Sequence, residues 1–138
     1  MLFATNKPTS PYPARHYLCI ELADDPDTDL AARFAESNEF IAKAHKQKGS
    51  KLLIHCRMGQ SRSSTLVAAY LMWHYRCSLR DALVWTKERR RIIAPNTGFF
   101  IQMQQYEKEL FGVSRSSISR DQARKLGVCS MGKGPDGM

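Results

Sequence analysis

The 138-residue chain has no run of apolar residues long enough to span a membrane. Its first stretch, MLFATNKPTSPYP, lacks a basic start followed by a long apolar segment, so no secretory leader is expected. There is no C-x-x-C pair, and the four cysteines, Cys19, Cys56, Cys77 and Cys129, have no Cys/His spacing that reads as zinc binding. Metal and cofactor are therefore not expected. Acidic residues are few: 13 Asp and Glu stand against 21 Lys and Arg, a net charge of +8. No nucleic-acid-binding motif accompanies that charge, and the basic residues are scattered. A field that draws in phosphorylated, acidic substrates accounts for it without nucleic acid as a partner.

What the chain does hold is Lys51–Ser64, KLLIHCRMGQSRSS. Leu52, Leu53 and Ile54 read as a short apolar strand, and a strong helix pattern begins after Ser63. A loop feeding a helix N-terminus gathers backbone N–H groups into one concavity, and the helix dipole adds positive potential there. A phosphate-like dianion fits such a nest. Arg62 supplies a planar fork for two of its oxygens. The same field stabilises a thiolate at Cys56. Nucleophile and oxyanion cradle thus fall in one loop. The competing reading is a buried cysteine beside a helix-starting Ser/Arg cluster. His55, Gly59, Ser61 and Ser63, all in place around the C-x5-R spacing, argue against it. A second glycine-rich stretch, GVCSMGKG at 127–134, lacks the final Ser/Thr and the preceding strand of a nucleotide loop, and carries no such reading.

HCRMGQSRS resembles the H-C-x-x-G-x-S-R-S signature of the cysteine-dependent dual-specificity phosphatases. The resemblance covers about residues 4–112 and extends to YLCIELAD at 17–24, SLRDALVWTKERRRIIAPNTGFF and QMQQYEKELFG. The wording is closest to the small atypical members, with the slingshot phosphatases near second through TDL at 28–30 and KERR at 87–90. The family domain begins before ATNKP, so a partly truncated form of its α/β fold is expected.

The resemblance implies a protein phosphatase for phosphotyrosine and phosphoserine/threonine, working through a cysteinyl-phosphate, with mitogen-activated protein kinases among its plausible targets. Cys56 is then the nucleophile. Arg62 and the loop residues Arg57, Met58, Gly59, Gln60 and Ser61 bind the phosphoryl group. Asp24, 32 residues before Cys56, is the general acid. Ser63 assists the thiolate as leaving group, His55 orients the loop, and Asn96 braces it. Chemistry alone does not separate Asp24 from Asp25. His55 also reads as a core histidine, Asn96 as a helix cap, and Arg89–Arg91 as a solvated helix end or a second phosphate contact. A thiolate nucleophile suits a reducing compartment, the cytoplasm or the nucleus. Two other functions stay open: a non-catalytic phosphate-binding module, and a lipid or RNA phosphatase.

The expected architecture is a central, mostly parallel sheet with strands over 15–22 and 51–55. Helices over 30–48, 62–75, 79–90 and 97–111 flank it. Asp27 or Thr28, Ser78, and Asn96 or Thr97 read as N-caps, and Gly49 and Gly112 as stops. Residues 1–14 read as loop. Residues 1–112 are assigned to the catalytic domain and 113–138 to a basic, Gly-rich, mobile tail in which SRSSISRDQARKLG could form a short helix.

Overall fold

The structure is a computed structural model that describes the backbone of residues 2–4 and all of residues 17–130. Among the described residues three short strands, β1 (Leu2–Ala4), β2 (Leu18–Ile20) and β3 (Ile54–His55), form a parallel sheet in the order β2-β1-β3. The register sets Leu2 beside Leu18 on one side and beside Ile54 on the other. β1 corrects the expectation of a loop over 1–14. Three residues are too few to show a period-two pattern, and the Pro/Ser/Thr-rich sequence after them dominates the composition. The rest of that expected loop lies outside the described residues. The other two strands are shorter than expected, with residues 15–16 outside the described part.

The described residues also hold five α-helices: α1 (Phe34–Lys46), α2 (Arg62–Tyr75), α3 (Leu79–Arg89), α4 (Thr97–Phe111) and α5 (Arg120–Lys125). A 3-10 turn, Ala31–Arg33, leads into α1. Asp29, rather than Asp27 or Thr28, takes an N–H of that turn, with Ala32 N–H donating to its Oδ1 at 3.2 Å. The caps at Ser78 and Asn96 form: Ser78 Oγ accepts from Asp81 N–H at 3.1 Å and Asn96 Oδ1 from Phe99 N–H at 2.8 Å. Gly112 ends α4 in the left-handed region at φ +63°. Gly49 lies beyond α1, whose last turn closes at Gln47. None of these helices is long and apolar enough to cross a membrane.

The core lies around α2. Its Leu66, Ala68, Ala69 and Met72 are fully buried, together with Phe34 of α1, Leu79 and Leu83 of α3, and Phe99, Phe100 and Met103 of α4. Each large side chain removed from water contributes about 1.5–3 kcal/mol. A helix apolar on nearly every side is thereby held at the centre, and its N-terminus is fixed in space.

The expectation of a mobile tail is corrected through residue 130. Ile118, Ala123, Val128 and Cys129 are buried in the same core. α5 carries a full capping box between Ser119 and Gln122. Glu107 of α4, only 2% exposed, ties the segment down. Its carboxylate accepts from Ser117 Oγ and Ser116 Oγ, from Ser117 N–H, and from Leu79 N–H at the start of α3. Burial pushes its pKa up, but those hydrogen bonds outweigh it and hold the group ionised.

Candidate active site

β3 ends at His55, and Cys56 begins the loop that enters α2 at Arg62. Two features let so short a loop turn so sharply. Gly59 sits at φ +66°, where an L side chain is strained, and a Cβ there would strike the Arg90 guanidinium. The loop carbonyls are also claimed from below: Ser64 Oγ donates to Gln60 O at 2.6 Å, and Thr65 N–H and Oγ1 donate to Ser61 O at 3.0 and 2.7 Å.

A strut made by residues 90–96 holds the other side of the loop. Arg90 Nε donates to Gly59 O at 3.1 Å, Ala94 N–H to Gln60 O at 2.8 Å, and Asn96 N–H to Ser61 Oγ at 2.9 Å. The C-terminal segment reaches this strut too, through Ser130 N–H to Pro95 O at 2.9 Å. Arg90 is thus more than a solvated helix end, whereas its neighbour Arg89 stacks on Trp85, 3.7 Å from the ring centroid.

Cys56 Sγ and Ser63 Oγ lie 3.3 Å apart. Burial pushes the Cys56 thiol up. Hydrogen bonds from the Ser63 hydroxyl and from the Ser63 and Gly59 backbone, with the Arg62 charge, outweigh it and bring the pKa below the usual thiol value. Cys19, Cys77 and Cys129 behave oppositely: burial raises all three. Of four thiols, only Cys56 has its thiolate favoured.

Arg62 is 7% exposed, and one guanidinium N–H donates to Leu22 O at 2.9 Å, at the base of the loop over 21–30. That loop brings in the acidic residues. Asp24, Asp25, Cys56, Arg57, Met58 and Arg62 line one cleft of about 320 Å³. Asp24 Oδ1 accepts from Asn96 Nδ2 at 2.8 Å. Asp25 turns its Oδ1 to its own loop instead, accepting from Asp27 N–H at 2.8 Å. The two aspartates that sequence chemistry left equivalent are therefore held differently. Asn96 serves three partners: its N–H holds Ser61, its Oδ1 caps α4, and its Nδ2 holds Asp24.

Cys56, Arg62, Asp24, Ser61, Ser63, Arg57 and Met58 come together on this cleft or directly behind it. Met58 is 63% exposed at the rim. Gly59 and Gln60 are engaged through their carbonyls. His55 is half-buried and lines an adjoining cavity of about 400 Å³ with Cys56 and Met58. Sequence reasoning missed Arg90 as a support of the loop, and missed Gly98 and Gln102 entirely. A Cβ on Gly98 would fall on the Pro26 carbonyl, so the loop over 21–30 lies directly on α4. The signal was present: glycine in the first turn of a helix gives up stability unless something approaches closely.

The family description "Dual specificity phosphatase, catalytic domain" matches residues 3–109. The Protein phosphatase Slingshot homolog of Xenopus laevis is 44% identical over 103 residues, 75% of this chain and 15% of that protein. Dual specificity protein phosphatase 18 of Pongo abelii is 44% identical over 96 residues, 70% of this chain and 50% of that protein. The chain spans half or less of the length of these relatives. A crystal structure of human DUSP28 superposes with a TM-score of 0.73 at 32% identity, covering 80% of this chain and 74% of that one.

Proposed function

The chain belongs to the dual-specificity phosphatase family, and from that premise we propose that it hydrolyses phosphotyrosine and phosphoserine/threonine in proteins through a cysteinyl-phosphate. The observation that carries this reading is the placement of Cys56, 3.3 Å from the Ser63 hydroxyl, in a cleft shared with Arg62 and Asp24.

In the first step Cys56 Sγ forms a bond to phosphorus as the P–O bond to the substrate breaks. Arg62 and the amides of residues 57–62 bind the equatorial oxygens, where they stabilise charge in the transition state more than in the ground state. The leaving oxygen takes a proton from the Asp24 carboxyl. In the second step water attacks phosphorus, gives its proton to the Asp24 carboxylate, and the thiolate leaves with inorganic phosphate as product. Ser63 donates a hydrogen bond to that departing thiolate. His55 orients the loop, and Asn96 fixes the acid as well as the loop.

Phosphorylated proteins are the substrate class. Mitogen-activated protein kinases enter as the target that the family resemblance suggests. Cytoplasm or nucleus is the compartment that suits the thiolate.

The test is turnover of a generic aryl phosphate, followed by a panel of phosphopeptides, phosphoinositides and 5′-phosphorylated RNA. Cys56→Ser is expected to abolish turnover. Asp24→Asn should slow phosphopeptides by roughly 100-fold or more, as loss of a general acid does. A larger effect of Asp25→Asn would transfer the acid role to Asp25. A folded chain that binds phosphopeptides without turnover is a phosphate-binding module, and one that prefers lipid or RNA phosphates is not a protein phosphatase.

A further inference from the structure

We propose that Gln102 is a positioning residue for the general-acid step, although it lies outside the cleft. This rests on Asp24 acting as the acid.

The loop over 21–30 has little of its own to hold it. Ala23, Asp24 and Asp25 are exposed. Its internal ties are local: Thr28 N–H to Asp25 O at 3.0 Å, Asp27 N–H to Asp25 Oδ1 at 2.8 Å, and Leu30 N–H to Thr28 O at 3.1 Å. These shape the loop without fixing where it sits. Arg62 holds its base through Leu22 O, and beyond that point its position is set by one face of α4. Asn96 holds the Asp24 carboxylate, and Gly98 lets the Pro26 backbone rest on the helix.

Gln102, one turn beyond Gly98 on the same face, holds the far end. Its Nε2 donates to Thr28 O at 2.7 Å, and its Oε1 accepts from Ala31 N–H at 2.8 Å. That amide group begins the 3-10 turn and has no partner within it, as at any helix start. One side chain thus satisfies both edges of the loop's exit. Fully buried Phe99, Phe100 and Met103 fix the helix it stands on. Leu30, also fully buried, anchors the chain next to the clamp. Water replacing the amide would restore the hydrogen bonds but not the fixed distance between α4 and the loop. A small displacement of an acid from its proton acceptor costs rate steeply.

Leaving-group dependence separates this role from a structural one. An aryl phosphate with an acidic phenol, such as a fluorinated coumarin phosphate, leaves without a proton, whereas phenyl phosphate needs one. In the full chain, Gln102→Ala is expected to lower kcat/KM for phenyl phosphate by about tenfold, less than Asp24→Asn does, and for the coumarin phosphate by less than about twofold. Gln102→Glu keeps the acceptor for Ala31 N–H and sets an oxygen against the Thr28 carbonyl. It should show the same split. The pH dependence of Cys56 alkylation should be unchanged in both variants, which also reports that the phosphate loop is folded.

Equal losses on the two substrates, no loss on either, or a moved alkylation profile would overturn the proposal. A split in Asp24→Asn without one in either Gln102 variant overturns this proposal alone. No split in Asp24→Asn, or a wild-type chain inactive on both substrates, overturns the acid reading and this proposal with it.

Discussion

Cys56 is placed where burial opposes its ionisation, and the groups around it reverse that balance. The Ser63 hydroxyl, 3.3 Å away, contributes the largest of the opposing effects. Removing it in Ser63→Ala takes a donor from a half-buried anion, an effect of about 1.5–3 kcal/mol for a hydrogen bond to a charge. The alkylation midpoint of Cys56 should therefore move to higher pH, and breakdown of the phosphorylated cysteine should slow by about tenfold or more. Stopped-flow detection of the product burst resolves the second effect. A mutant with an unshifted midpoint would remove Ser63 from the chemistry. Asp24 and Asp25 differ at this scale in their side-chain partners, one turned to Asn96 and the other to its own backbone.

At the scale of elements, the long helices were legible because apolar spacing, Ser78, Asn96 and Gly112 mark them locally. The phosphate loop was legible because glycine, serine and arginine occupy positions where backbone and anion chemistry leave few choices. β1 was not, and of α5 the short helix was legible within SRSSISRDQARKLG but its place in the core was not: each element is short, and each is stabilised by partners far away in sequence. The acid-loop contact was the hardest to see, since Gly98 and Pro26 are 72 residues apart. Gly98→Ala sets two effects against each other. Alanine raises helix propensity by about 1 kcal/mol. Its Cβ would meet the Pro26 backbone, which cannot move aside alone, and overpacking of that kind costs about 1–3 kcal/mol. The clash should win, lowering Tm and slowing phenyl phosphate more than coumarin phosphate. A higher Tm would mean that the loop does not lie on α4.

For the molecule as a whole, the site is gripped from three directions. α2 supports the phosphate loop from behind, the strut over 90–96 holds its outer side, and α4 carries the acid loop. The segment through residue 130 backs the strut, with Glu107 locking that segment to α3 and α4. In the proposed mechanism this assembly makes Cys56 a nucleophile toward phosphorus. That role is tested most directly by acid-quenching the full chain during turnover of the coumarin phosphate and mapping covalent phosphate by mass spectrometry. The Asp24→Asn chain, in which breakdown is slow, is measured alongside. A phosphate adduct is expected on the peptide containing Cys56, stronger in Asp24→Asn and absent from Cys56→Ser. Turnover with no adduct on Cys56, or with the adduct on another residue, would contradict it.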